Sequence, residues 1–201
     1  AALLLEQGYE VIGAFMKNWS ENECEGPEFK ECGWKTERRD AARVAAKLGI
    51  PFLTLDFEKE YRRDVIEYLF RESEAGRTPN PDVMCNKFIK FDRFVREADR
   101  LGCEFVATGH YARLATLSSL RAERSNPEKE IASVATRPRN DTNYILAGKD
   151  SNKDQTYFLW AIDKKILSRI IFPIGEMKKP EVRAKARKLG LNVADKKDSV
   201  G

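Results

Sequence analysis

Histidine is nearly absent, with His110 alone in 201 residues, and the four cysteines, Cys24, Cys32, Cys85 and Cys103, form no Cys-x-x-Cys pair. That scarcity excludes a zinc site of ordinary spacing and a disulfide scaffold, so no metal-ligating set is expected and a reducing cytosol is the natural compartment. No apolar run approaches the roughly 20 residues that a membrane-spanning helix needs, so no membrane partner is expected. An initiator Met is lacking, and residues 1–7 are too short and carry no basic leader for a signal peptide, so the start reads as a cut through a longer chain. Internal repeats are lacking too.

What is present is a globular composition, 42% hydrophobic and 34% charged, long enough for one domain or for a large domain with part of a second. Charge is unevenly spread. Eighteen basic and 21 acidic residues lie up to Arg113, against 18 basic and 11 acidic from Leu114 onward. The second half is therefore strongly basic, which suits either a polyanionic partner or a merely solvated surface.

Short apolar runs alternate with helical patterns. Residues 1–7 read as the end of a helix closed by Gly8, followed by strand 11–16, a helix over about 37–48 stopped by Gly49, and strand 50–57. Residues 58–75 read as a helix, 76–85 as an irregular loop, 87–101 as a helix ending at Gly102, and 104–108 as a strand running into Gly109-His110-Tyr111. This alternation predicts an α/β fold with a doubly wound parallel sheet. Residues 114–143 are rich in Ser, Arg, Asn and Pro without apolar period and read as a low-complexity insertion or loop. A strand over 144–147 and a helix from Pro180 to Gly190 complete the pattern.

Chemistry concentrates in three places. Gly76-Arg-Thr-Pro-Asn-Pro-Asp-Val-Met-Cys-Asn-Lys87 holds Asp82 and Cys85 in a proline-stiffened loop just before a helix, where the positive helix end and Lys87 are expected to favour the Cys85 thiolate. Asp82, three residues earlier, is within reach of proton transfer at the same substrate. A capping loop with a buried inert cysteine is the alternative. Phe15-Met-Lys-Asn-Trp19 and Thr108-Gly-His-Tyr111 both follow strands, at the carboxyl edge where open α/β sheets bind ligands, and Gly109 gives a nucleotide room against the backbone. His110 reads as a structural histidine rather than a base. Lys149-Asp-Ser-Asn-Lys-Asp-Gln155 suits phosphate and base-edge contacts, or is only a polar turn before Tyr157-Phe-Leu-Trp160.

Together these blocks resemble the tRNA-specific 2-thiouridylases. The resemblance runs through Phe15–Trp19, Gly76–Asp82, Cys85-Asn-Lys87 with Ile89-Lys-Phe91, Thr108–Arg113, Lys153-Asp-Gln155 and Lys196-Lys-Asp-Ser199. It implies an ATP-pyrophosphatase (adenine nucleotide α-hydrolase-like) domain over 1–113, the insertion at 114–143, and a small, mostly helical tRNA-contacting region over 144–201. It further implies ATP with Mg2+, adenylation of the uracil C2 oxygen of a wobble uridine, and sulfur delivered from a cysteine persulfide. By motif, Met16 and Gly109 contact ATP, Asn80, Pro81 and Asp82 face the target base, Cys85 is the nucleophile, and Asp82 the acid/base. Lys153, Asp154 and Gln155 match a tRNA contact, with Lys149, Lys164 and Lys165 near it. A sulfur-donor protein as partner, a monomeric state, a cytoplasmic location and a disulfide bond are the remaining implications.

The family's phosphate-cradling Ser-Gly-Gly-x-Asp-Ser loop is expected before Ala1. Its persulfide cysteine and β-rich C-terminal domain are expected after Gly201. The chain therefore reads as a fragment of an active parent, not expected to complete the reaction by itself. Two competitors remain: another ATP-pyrophosphatase that adenylates a small molecule and has no need of Cys85, and a non-catalytic RNA-binding remnant. A redox pairing of Cys24 with Cys32 is weaker still.

Overall fold

A computed structural model describes residues 1–20, 33–116, 119 and 143–196. Cys24, Cys32, nearly all of the expected insertion, and Lys197, Asp198 and Ser199 lie outside the described residues. The short helix α1 (Ala2–Glu6) leads to β1 (Gly13–Lys17), α2 (Gly33–Leu48) and β2 (Phe52–Asp56). β1 and β2 pair in parallel, Gly13 opposite Phe52 through Lys17 opposite Asp56, as expected of a strand-helix-strand unit.

Two long helices follow. Glu58–Tyr61, Arg62–Ile66 and Glu67–Glu74 run on as α3, residues 58–74, whose middle segment has the wider π-type turn. Pro81–Met84, Cys85–Arg93 and Phe94–Arg100 run on as α4, residues 81–100, again π-type in the middle. The expected loop 76–85 thus ends earlier than its composition suggested. Asn80 is extended and its Oδ1 accepts the Val83 N–H at 3.2 Å, while Pro81 occupies the first helical position, where its missing N–H costs nothing. α4 stops as expected, with Gly102 N–H donating to the Asp99 carbonyl at 3.0 Å and Cys103 N–H to that of Ala98 at 2.8 Å.

The rest of the chain returns to these elements. β3 (Val106–Ala107) pairs in parallel with β6 (Ile170–Ile171), whereas β4 (Ala112–Thr116) and β5 (Asn143–Ala147) form an antiparallel pair. Leu114 to Thr116 and Asn143, read from composition as insertion, are therefore strand. Their alternation was too short to register, and only pairing across the gap defines them. Residues 144–196 carry β6 and most of β5, with α5 (Lys179–Lys188) and the short 3-10 helices Thr156–Phe158 and Lys164–Arg169. Lys196 binds Glu37 at 2.8 Å and Asp40 at 2.9 Å on α2, so the first residue of the matched Lys-Lys-Asp-Ser block fastens this stretch to the first crossover helix.

α4 supplies buried residues to all three core clusters: Cys85 and Ile89 beside Phe57 and Val65; Phe91 beside Ala112, Leu159, Ile170 and Phe172; Val95 and Ala98 beside Val106. Val65, Ile89 and Ile170 are fully buried, and each such aliphatic contributes about 1.5–3 kcal/mol. His110 joins the Phe91 cluster, its ring 5.8 Å from that of Phe91 and 5.9 Å from that of Phe172, with Nδ1 2.8 Å from the Thr108 hydroxyl. It is a structural histidine.

Burial, and then the charge of Lys90, push the His110 pKa down from 6.5 to about 4. The folded form therefore holds the ring neutral where the unfolded chain binds a proton. This stability is complete above pH 6.5 and is lost as pH falls through that window, by about 3 kcal/mol in all. Urea unfolding from pH 7.5 down to 4.5 should show the loss, and His110→Phe should flatten it. An equally steep loss in the variant would remove His110 as its source.

Candidate active site

The first turn of α4 presents the central pair. Asp82 is exposed and Cys85 is 8% exposed, packed in the cluster to which Met16, Tyr61 and Met84 also belong. Met16 reaches it from the carboxyl end of β1, so two residues marked separately in the sequence come to one place. Sequence reasoning missed two neighbours. Burial raises the pKa of Tyr61, and the charges of Cys85 and then Asp82 add to the rise. Lys90 lies five residues beyond Cys85, and its charge is felt by both Cys85 and His110. A helix bonded i to i+5 brings residues five apart towards one side, which a search at ordinary helical spacing passes over.

The expected thiolate is not what the fold provides. Burial pushes the Cys85 thiol up from 9.0; Lys90 lowers it in part, and Asp82 raises it further. Three causes correct the expectation. Cys85 sits inside the helix rather than before it, it is enclosed by aliphatic and aromatic neighbours, and the cation near it is Lys90, whereas Lys87 is exposed, with Nζ 4.8 Å from the Phe88 ring. Burial thus disfavours the Cys85 thiolate.

At the end of β1, Lys17 bonds to Glu58 and sits 3.5 Å from Asp56, with its ammonium 5.0 Å from the Trp34 ring centre; Ser20 also bonds to Glu58. The Lys17 bond, then that of Ser20, hold the Glu58 carboxyl below its ordinary range. Lys17 is thereby committed within the fold. At the end of β3, Gly109 is exposed, its φ lies outside the left-handed region, and a Cβ there would meet nothing within 4 Å. Neither backbone nor packing requires glycine at that point, so the open face is free for a ligand to lie against. Among the described residues no group of three or more His, Cys, Asp or Glu could hold a metal ion. A cavity of about 310 Å³ lined by Gly13, Ala41, Val44 and Lys196, among others, includes neither Asp82 nor Cys85.

Two residues beyond Gly109 the chain is gripped. Tyr111 N–H donates to Gln155 Oε1 at 3.1 Å, and the Gln155 N–H donates to the Tyr111 carbonyl at 3.3 Å. A Cβ on Gly148 would stand 2.6 Å from the Tyr111 oxygen, and one on Gly175 2.0 Å from that of Ala112, so both glycines permit a backbone approach that any side chain would block. Asp154 turns inward as well. Burial acts to raise its pKa, but bonds from the Thr156 hydroxyl and from the Gly148, Thr156 and Gln155 N–H groups outweigh it and leave the carboxyl below its ordinary value. Asp150 is buried and accepts the Lys179 N–H at 2.8 Å, seating the loop on the first turn of α5. Of Lys153, Asp154 and Gln155, only Lys153 is exposed.

Gln155→Leu should therefore cost about 1–3 kcal/mol, because it strands the N–H of buried Tyr111, whereas Lys153→Ala should change stability by no more than about 0.5 kcal/mol. Chemical denaturation of the two variants distinguishes them. Equal stability would show that the Gln155 grip contributes nothing.

Known proteins resemble this chain along its whole length. The tRNA-specific 2-thiouridylase MnmA of Christiangramia forsetii is 46% identical over 201 residues, which is 100% of this chain and 46% of that protein. The proteins of the same name from Streptococcus agalactiae and Lactiplantibacillus plantarum are each 46% identical over 201 residues, 100% of this chain and 47% of theirs. The chain spans about half the length of the curated relatives it matches. The family described as tRNA methyl transferase HUP domain matches residues 1–201, and the chain belongs to that family.

Proposed function

We propose that the full-length gene product is a tRNA-uridine 2-sulfurtransferase, forming 2-thiouridine at the wobble position, and that this chain carries its target-base and nucleophile residues. The observation that carries the reading is the capped first turn of α4, with exposed Asp82 next to buried Cys85 and Met16 packed into the same cluster. The family description speaks of methyl transfer, whereas the relatives are named thiouridylases. The Thr-Pro-Asn-Pro-Asp and Cys-Asn-Lys blocks favour sulfur transfer.

ATP, as co-substrate, supplies the adenylyl group that makes the uracil C2 oxygen a leaving group. Met16 and the open face of Gly109 are the proposed contacts to it, on a doubly wound sheet, with Mg2+ arriving alongside the phosphates. Asn80 and Pro81 face the base. Asn80 is exposed and spends its Oδ1 on the cap, which leaves its amide nitrogen for the base. Asp82 exchanges the proton at the reacting base. Cys85, as the thiolate, attacks the inner sulfur of a persulfide, forming a disulfide with the donor cysteine and releasing hydrosulfide, which adds at C2 of the uracil and expels the activated oxygen as AMP. Because burial disfavours the Cys85 thiolate, binding of the substrates has to offset that cost by bringing a base or a positive charge to the sulfur. Lys153, on the loop set by Asp154 and Gln155, is the proposed phosphate contact in a tRNA-facing region over 144–201. A sulfur-donor protein, a monomeric state and a cytoplasmic location complete the proposal. Among the described residues no helix is long and apolar enough to cross a membrane.

Nucleoside mass spectrometry of tRNA from a strain dependent on the full-length gene product tests the reading. Cys85→Ser and Asp82→Asn should each abolish 2-thiouridine, with tRNA affinity kept within about threefold, since neither side chain is a phosphate contact. Gly109→Val should leave stability unchanged and weaken ATP binding. Undiminished thiolation in the Cys85→Ser strain would refute the assignment.

A further inference from the structure

Trp160 and Tyr157 are 74% and 61% exposed, and they stand three residues apart. The backbone around them repeats every three residues: Phe158 N–H donates to the Gln155 carbonyl, Leu159 N–H to that of Thr156 and Ile162 N–H to that of Leu159. In such a turn, side chains three apart share a face. Leu159 and Ile162 are the buried pair at this spacing, at 1% and 8% exposure, and Tyr157 and Trp160 are the exposed pair. Among the described residues neither ring belongs to a core cluster, and Tyr157 lies against the Phe158 ring alone.

Lysines flank the pair along the chain. Lys153 precedes it and Lys164 and Lys165 follow it, all exposed. Two acids lie between them: Asp154 accepts from the Gly148 and Thr156 N–H groups and the Thr156 hydroxyl, and Asp163 spends its Oδ1 on the Lys165 N–H at 2.9 Å. The turn is also anchored. Asn86, buried and next to Cys85, donates from Nδ2 to the Phe158 carbonyl at 3.2 Å, and the Phe158 ring lies 3.8 Å from that of Tyr157. The exposed pair is thereby fastened to the helix that bears the nucleophile. Flat exposed rings set among lysines suit unpaired bases, whose faces stack while the lysines meet the phosphates.

We propose that Tyr157 and Trp160 form a stacking platform for unpaired anticodon-loop bases beside the target uridine, an inference that rests on the tRNA-thiolation reading. Because stacking accepts any base, the platform holds the loop in place without selecting its sequence.

The test uses the full-length gene product and an anticodon stem-loop RNA carrying 2-aminopurine at each loop position next to the target uridine in turn. Binding should quench the probe at one or more positions. Tyr157→Ser and Trp160→Ser should each remove that quench and weaken binding roughly 5- to 150-fold, while Tyr157→Phe and Trp160→Phe retain both. The slope of log affinity against log salt should not change in these four variants, whereas Lys153→Ala should lower it by roughly 0.7–0.9 and keep the quench. Tight binding without quench at any position, or serine variants that bind like the wild type, would overturn the platform and leave the thiolation reading standing. Serine variants that bind normally but unfold more readily would assign the rings to a contact with another part of the protein, which also overturns it. A wild-type protein that does not bind the stem-loop would overturn both.

Discussion

Burial of one helix is the constraint on which the other elements depend. α4 sends Cys85 and Ile89 into the cluster under β1 and β2, Phe91 into the cluster built with the second half of the chain, and Val95 and Ala98 into the cluster under β3. A helix that serves three cores has little freedom to rotate or slide, because any shift opens cavities in more than one of them. Its start is fixed by the Asn80 cap and its end by the turn at Gly102, so the position of Asp82 and Cys85 follows from packing over the whole length of the helix. The same rigidity sets the chemical problem, because the neighbours that locate Cys85 also exclude the water its thiolate would need.

The segment from Thr108 to Ala112 is the second anchor, and it joins the halves of the chain. His110 packs on Phe91 of α4, Tyr111 is held at both its N–H and its carbonyl by Gln155, and Gly148 and Gly175 admit the backbone on either side. Gly109, at the head of this segment, is left open. The proposed nucleotide contact, the proposed nucleophile and the lysine-bearing loop are therefore linked through a few residues whose polar groups are satisfied inside the fold.

Much of this was legible in the sequence, and the exceptions have identifiable physics. The β1-α2-β2 unit and both long helices followed from apolar period and from glycine stops, and the structural reading of His110 from the lack of a nucleophile motif before it. The cap at Asn80 carried its own signal, Asn followed by Pro, but the paired prolines drew attention to a loop instead. The sign of the Cys85 shift was out of reach because sequence shows the helix end and the nearby lysines but not the desolvation, which here outweighs them. Lys90, matched only within the Ile89-Lys-Phe91 block, and Tyr61 were given no role because one is placed by a π-type turn and the other by packing between α3 and α4. Asp154 and Gln155 look alike as surface polar residues until the partners that claim them, Gly148, Thr156 and Tyr111, are brought alongside by the fold.

The central proposal is that Cys85, buried where the thiolate is disfavoured, acquires reactivity only when ATP and tRNA, the proposed substrates, are engaged. Its rate of alkylation by iodoacetamide, followed on the Cys85 peptide by mass spectrometry across pH, tests this most directly when measured with and without ATP and tRNA. The account predicts a midpoint above 9 for the free full-length protein and a lower midpoint, with faster alkylation at neutral pH, once both substrates are bound. Rapid alkylation of the free protein at pH 7, unchanged by either substrate, would contradict it.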